Sequence, residues 1–291
     1  MSHAAGAVAR HHVEQYAEEG ATLVQGAFEE RWVAELLEAI DAVLEQARSP
    51  GFAELASANR TQNPVSMQER DGDVIIRNIR HHSPAFHRWI EQSGAPALVG
   101  ETIGADDVRF WMDATFLKEG TAPATATPWH NDGCTFPFKG GMAPSLWIAL
   151  TDVEPDNAPI VTVAGTHLDP WNYRSPLSPQ DVPLPAGYRE WPELLAQADN
   201  PGDRLRVWPA RAGDAMLIHP KLLHASLPRT STRPGRRVAF TTRWLGSDMR
   251  WNPDPLSVRI STLEGNPLMR PGEPPPEELF PVLWRRERAA A

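Results

Sequence analysis

Two imidazoles and one carboxylate are spaced so that they could share a metal ion. Trp129-His130-Asn131-Asp132-Gly133 supplies His130 and Asp132, and Leu222-Leu223-His224-Ala225-Ser226 supplies His224, 92 residues beyond Asp132. Two His and one carboxylate occupy one face of a ferrous ion and leave the opposite positions open for oxygen chemistry. His130 and Asp132 are two residues apart, so on an extended segment both side chains leave the same face. A helix would separate them by roughly 200 degrees. Gly133 lets the chain turn directly after the pair, and His224 must then come from a distant strand. His-x-Asp alone is a frequent accident of an exposed turn, so the surrounding elements carry the argument.

Those elements read as short strands. Ala143-Pro144-Ser145-Leu146-Trp147-Ile148-Ala149-Leu150-Thr151-Asp152-Val153 is an almost unbroken apolar run, as expected of a strand buried on both faces. Asp156-Asn157-Ala158-Pro159 reads as a turn, Ile160-Val161-Thr162-Val163 as a strand, and Ala164-Gly165-Thr166-His167 as a second turn. A further strand follows Gly213-Asp214 and approaches His224, and the β-rich run 236–244 comes last. Strands this short, punctuated by Gly, Pro, Asn and Asp, predict an antiparallel barrel or jelly roll.

In this order, Thr127-Pro128-Trp129-His130-x-Asp132-Gly133, Leu146-Trp147-Ile148-Ala149-Leu150, Gly165-Thr166-His167, Gly213-Asp214 and His224-x-Ser226 resemble the phytanoyl-CoA dioxygenase family of Fe(II)/2-oxoglutarate oxygenases. The resemblance extends over residues 10 to 285 or so and resides in the combination, not in one element. It implies a mainly β fold, a double-stranded β-helix (cupin-like jelly roll) with N-terminal helices packed outside. It implies His130, Asp132 and His224 as iron ligands, with 2-oxoglutarate chelating Fe(II) through its keto acid end and O2 as oxidant.

The far carboxylate of 2-oxoglutarate calls for a guanidinium, whose fork of donors matches a carboxylate. Arg236 is the best match to the family's arginine; one extra residue after His224 leaves Arg237 open, and on a strand only one of the two can face inward. Ser226 matches a hydroxyl that assists the same carboxylate, and Trp147 and Thr127 match cosubstrate-pocket positions. Asn157-Ala158 and Ala164-Gly165-Thr166-His167 depart from the family's usual turns without touching the ligand positions. Related halogenases carry a small residue in place of the carboxylate, so Asp132 points to hydroxylation or another oxidation. The implied reaction is hydroxylation of a C–H bond of a small organic metabolite, with release of succinate and CO2. Desaturation, epoxidation and cyclisation would use the same ligands. A metal-binding cupin-like isomerase or a small-molecule binding protein is the alternative, and it needs no arginine for a cosubstrate.

Other residues read as structural or as neighbours of the site. His167 and His219 are structural or support the ligands from behind; His81-His82 lie on a loop; Arg77 stands where some family members reach the cosubstrate with a basic residue. Cys134, the only cysteine, can form no intrachain disulfide and reads as a pocket wall.

Composition bounds the rest. A chain of 291 residues with 41% hydrophobic content and 11 Trp can bury one large core, and one oxygenase domain over 1–291 is expected. No run approaches the roughly 20 apolar residues of a membrane span, and Met1-Ser2-His3-Ala4-Ala5 lacks a secretory apolar stretch, so the expected location is cytoplasmic. A net charge of −9 without a basic cluster argues against nucleic acid as partner. Residues 7–107 form a largely helical N-terminal part; within 7–47, Trp32, Val33, Leu36, Leu37, Ile40, Val43 and Leu44 recur at helical spacing, and Arg48-Ser49-Pro50-Gly51 ends that helix. The barrel spans 108–246, a proline-rich insert at 168–206 is expected to be irregular and to cover its mouth, and 247–291 wraps the outside. Trp171, Tyr173, Tyr188 and Trp191 of the insert line a pocket or anchor the loop.

Overall fold

The computed structural model describes residues 8–47, 66–70, 73–81, 83–119, 126–176, 178–232, 235–260 and 262–287. Helix α1 (Arg10–Glu19) stops at Gly20, whose φ of 86° only glycine adopts without strain and whose N–H returns to the Tyr16 carbonyl. The chain then forms β1 (Ala21–Val24) and α2 (Glu30–Ala47). A hairpin of β2 (Ser66–Arg70) and β3 (Asp73–Arg77) leads to α3 (Pro84–Gln92) and α4 (Ala95–Ile103), each with proline in its first turn, where a missing N–H costs nothing. Next come the long β4 (Asp107–Lys118), then β5 (Thr127–His130), β6 (Phe138–Lys139), β7 (Ser145–Ala149) and β8 (Ile160–Val163). The insert carries β9 (Asn172–Tyr173), β10 (Tyr188–Arg189) and α5 (Trp191–Asp199). The chain finishes with β11 (Leu205–Trp208), β12 (Ala215–Ile218), β13 (His224–Ser226), β14 (Arg237–Gly246), β15 (Arg250–Trp251) and β16 (Val282–Arg285).

Two antiparallel sheets form the jelly roll. The larger runs β1-β12-β7-β14-β4-β3-β2 with β16 added to β4, and the smaller runs β11-β8-β13-β5. Period-two alternation divides each strand between an inner and an outer face. Trp147, Met216 and Ala239 of the large sheet meet Ile160 and Trp208 of the small one inside. On the outer face of the large sheet, Leu146, Ile148, Leu217, Val238 and Phe240 pack against α2, α3 and α4. Phe86 and Trp89 of α3 approach the Phe240 ring at 4.9 and 5.3 Å, edge to face. The outer face of the small sheet is covered by the insert, where Tyr173 and Leu194 pack on Val163 and Leu223. The C-terminal stretch lays Leu263, Met269 and Phe280 against Trp111, Phe138 and Trp251.

Two sequence expectations change. Residues 7–107 are not purely helical, because β1, β2 and β3 extend the large sheet; β1 ends the helical run at Gly20 by pairing with β12. The insert is less irregular than its prolines suggest, since Pro192 sits in the first turn of α5, where it is tolerated. The predicted stop at Arg48-Ser49-Pro50-Gly51 lies outside the described residues. The apolar stripe of α2 does face the core, with Leu36, Ile40, Val43 and Leu44 buried. No described helix is long and apolar enough to cross a membrane.

One close approach ties the C-terminal strand to the helices. A Cβ on Gly100 of α4 would lie 2.2 Å from the Trp284 ring, so Gly100→Ala must displace an indole. The expected cost is about 1–3 kcal/mol, read as a lower thermal midpoint; an unchanged midpoint would mean that β16 does not dock there.

Candidate metal and cosubstrate site

His130 ends β5 and His224 begins β13, and the two strands pair with these residues opposite one another. Their ring centroids are 4.1 Å apart. The Nδ1 of His130 lies 2.8 Å from the Pro128 carbonyl oxygen, and that of His224 lies 2.9 Å from the Leu222 carbonyl oxygen. A carbonyl only accepts, so Nδ1 carries the hydrogen in both rings and Nε2 keeps its lone pair for a metal. Asp132 follows in the turn, with Oδ1 3.9 Å from His130 Nε2. One donor atom from each of His130, Asp132 and His224 lies within 4.8 Å of the other two. His224 is buried and the Asp132 side chain is 9% exposed, whereas the His130 side chain is 38% exposed, so the triad opens on that side.

The electrostatics suit a divalent cation. Burial and the neighbouring His130 push His224 down to about 4, which leaves the ring neutral and able to ligate at pH 7. Burial alone would raise Asp132, but Arg243, the two histidines and Ser145 hold its carboxyl well below the usual carboxylate range. Arg243 Nη2 donates to Asp132 Oδ1 at 2.7 Å, and Ser145 Oγ donates to Oδ2 at 2.7 Å.

From the triad a cavity of about 510 Å3, counted with the space open to solvent, runs between the sheets past Thr241, Phe116, Ile160 and Ile218 to Arg237. Arg237 is 3% exposed, and its guanidinium lies over the Trp147 ring at 5.1 Å. Its Nε is buried without a hydrogen-bond partner, and no carboxylate among the described residues comes within ion-pair distance. Burial pushes its pKa down to about 10, against the pull of Asp73. Lys118, opposite Arg237 in the β4–β14 register, donates from Nζ to Ser226 Oγ at 2.7 Å. Ser226 Oγ also lies 3.0 Å from Thr127 Oγ1 and accepts the Thr127 N–H at 3.1 Å. Burial, then the charge of Arg237, brings Lys118 down to about 8.

The structure thus gathers His130, Asp132, His224, Thr127, Trp147 and Ser226 around one cavity, and it leaves Arg236 outside. Arg236 Nη2 bonds Asp41 Oδ2 of α2 at 2.9 Å, and its Nη1 lies 4.0 Å from Glu119. The correction follows from alternation: adjacent residues leave a strand on opposite faces, and the inward parity falls on Arg237, Thr241 and Arg243.

Sequence reasoning passed over Lys118, Ser145 and Arg243. The same parity, counted six residues on from Arg237, would have found Arg243. Ser145 and Lys118 gave a weaker signal, one hydroxyl at the edge of an apolar run and one cation at a strand end. His167 and His219 lie apart from the triad. Their rings are 4.8 Å apart, and His167 Nε2 lies 3.1 Å from the Ala17 carbonyl oxygen of α1. Arg77 is opposite Ala114 in the register and is half-buried; burial and Arg243 lower its pKa. Cys134 is buried and lines a second cavity of about 620 Å3 with Phe138, Lys139, Asn172 and Tyr188; burial pushes its thiol up to about 12. None of residues 168–206 lines the cavity at the triad. Of the insert's aromatic residues, Tyr173 and Trp191 pack on the small sheet, and Arg189 stacks over Trp171. Tyr188 hydrogen-bonds Asp254.

The fold is a jelly roll of the double-stranded β-helix type, and the two His and one carboxylate at one end of its barrel are a donor set that could hold one metal ion. The family model for phytanoyl-CoA dioxygenase matches residues 16–238, and the chain belongs to that family. No curated protein matches it. Among solved structures it is similar to SnoK, a non-heme alpha-ketoglutarate-dependent carbocyclase from nogalamycin biosynthesis. The TM-score is 0.70 at 20% identity, over 97% of this chain and 99% of that one. The epimerase SnoN in complex with Fe3+, alpha-ketoglutarate and nogalamycin RO gives 0.65 at 20% identity, over 94% and 98%. EctD from S. alaskensis with 2-oxoglutarate and 5-hydroxyectoine gives 0.64 at 17% identity, over 92% and 86%.

Proposed function

We propose that this protein is an Fe(II)/2-oxoglutarate-dependent oxygenase that hydroxylates a C–H bond of a small organic molecule. The observation that carries this reading is Arg237, a buried cation without an acid partner among the described residues, at the far end of a cavity that begins at a metal triad. A buried, unpaired charge is costly unless a ligand compensates it. A dicarboxylate that reaches the metal with its keto acid end and Arg237 with its other end fits that geometry. The fold likeness to SnoN and EctD, whose structures hold 2-oxoglutarate, supports the same choice. A cupin-like isomerase or binding protein needs no arginine for a 2-oxoglutarate carboxylate.

Bound Fe(II) and 2-oxoglutarate would allow O2 to act as the oxidant, one oxygen atom going to the succinate formed as 2-oxoglutarate loses CO2 and the other remaining for the substrate. The chain's own residues bind, orient and exclude water. His130 and His224 present Nε2, each held in one tautomer by a backbone carbonyl two residues earlier. Lys118, Ser226 and Thr127 form a hydrogen-bonded group beside Arg237 that receives the distal carboxylate. Phe116, Ile160 and Ile218 keep the middle of the cavity apolar.

Anaerobic addition of Fe(II) and then 2-oxoglutarate is the direct test. A visible charge-transfer band of the chelate is expected, and iron bound without that band would sink the reading in favour of a cupin-like protein. With a substrate in hand, labelled dioxygen distinguishes the outcomes. Label in both product and succinate supports hydroxylation, whereas label in succinate alone points to another oxidation.

Lys118 makes the cosubstrate step sensitive to pH. Its ammonium favours a carboxylate and its pKa is about 8 in the free protein, so 2-oxoglutarate affinity should be flat below pH 8. Above it, affinity should weaken by up to about tenfold per pH unit. Lys118→Met should lower affinity and remove that dependence; a variant that keeps it would assign the titration elsewhere.

A further inference from the structure

The three metal donors are held in different ways. His130 and His224 are oriented locally, each by the carbonyl two residues before it. Asp132 has no such local support. It lies in the turn after β5, and its two carboxylate hydrogen bonds come from the opposite sheet. Those bonds come from one row of that sheet, because Arg243 of β14 and Ser145 of β7 are register partners. One donor thus grips each carboxylate oxygen, Arg243 on Oδ1 and Ser145 on Oδ2.

Arg243 is itself confined. Its side chain is 18% exposed, its guanidinium lies 5.6 Å from the Phe136 ring, and Nη1 is 3.8 Å from Met112 Sδ. A carboxylate with one hydrogen bond on each oxygen cannot rotate about its terminal bond without losing both, so its plane is set before any metal arrives. Each oxygen keeps one lone-pair direction free. A charged donor such as Arg243 Nη2 makes a stronger hydrogen bond to a carboxylate than a neutral one does.

On the basis of the metal site proposed above, we propose that Arg243, assisted by Ser145, is the positioning residue for Asp132, fixing the carboxylate plane so that one oxygen faces the two Nε2 atoms. The large sheet thereby sets the geometry of a ligand carried by the small sheet, and any change in the spacing of the two sheets is felt at the metal.

The experiment compares wild type, Arg243→Met, Arg243→Lys and Ser145→Ala by Co(II) titration, the visible d–d spectrum of the Co(II) protein, and the thermal midpoint of the metal-free protein. Arg243→Met should raise the Co(II) dissociation constant roughly 10–100-fold and change the d–d spectrum, as the freed carboxylate rotates. Arg243→Lys, which keeps one charged donor, should recover part of both. Ser145→Ala should give the same change at smaller size, and it serves if Arg243→Met does not fold. The metal-free midpoint should not follow this order, because the role is positioning. Wild-type affinity and spectrum in a folded Arg243→Met, or in Ser145→Ala if that variant must stand in, would overturn the proposal and leave the metal site standing. Absence of Co(II) and Fe(II) binding by the wild-type protein would overturn both.

Discussion

Arg237→Met should weaken 2-oxoglutarate binding by a factor of 30 to several thousand, while Arg236→Met should change it by no more than a few-fold. Both are arginines, adjacent in sequence, and the contrast rests on where each side chain ends. Arg237 is buried at the end of the cavity with an unpartnered Nε, and Arg236 sits at the surface on Asp41. Truncating one partner of a buried charge pair costs about 2–5 kcal/mol, which gives the larger factor. Losing the Arg236–Asp41 pair costs at most about 1 kcal/mol of stability, as surface pairs do. Methionine keeps much of the packing over Trp147, so a loss of affinity reports the charge and its donors, not a collapsed cavity. Isothermal titration of the metal-loaded variants with 2-oxoglutarate decides the matter. A larger effect at Arg236 would reverse the assignment.

His224→Ala should abolish stable metal binding and with it every 2-oxoglutarate-dependent signal. His224 is the most buried of the three donor side chains and the one that joins β13 to both β5 and β8. With it gone, His130 and Asp132 remain as two donors on a half-open turn, too few for a ferrous site. His224 is already neutral at pH 7, so the loss is of a ligand and not of a charge. The variant should retain its far-ultraviolet circular dichroism, since the pairs Ala225–Val161 and Ser226–Ile160 keep the β8–β13 ladder. Metal content after desalting is the readout; a full equivalent of iron retained in His224→Ala would remove His224 from the ligand set.

The parts of this molecule that were legible in its sequence are those set by short-range rules. The apolar run at 145–149 became a strand buried along its whole length, and the helical spacing of Leu36, Ile40 and Val43 became a buried face of α2, whereas His130 and Asp132 come together through the turn that follows β5 and not through the alternation of one strand. The interruption at Gly20 was harder to see. Ala21-Thr22-Leu23-Val24 continues an apolar pattern that a helix could also use, and it becomes a strand because β12 offers an edge to pair with.

The sequence by itself carried the three candidate donors and the strand-rich architecture, because residue type and alternation act within a few residues; the expectation of a cation facing an acid came from the family resemblance. It could not choose between Arg236 and Arg237, since one inserted residue inverts every inward side chain and only the pairing of β14 with β4 and β7 sets the parity. Nor could it show that Arg243 and Ser145 close on Asp132, or that Lys118 meets Ser226 across 108 residues. Those contacts join two sheets, and they exist only when the barrel closes and brings distant rows of the chain within hydrogen-bonding distance.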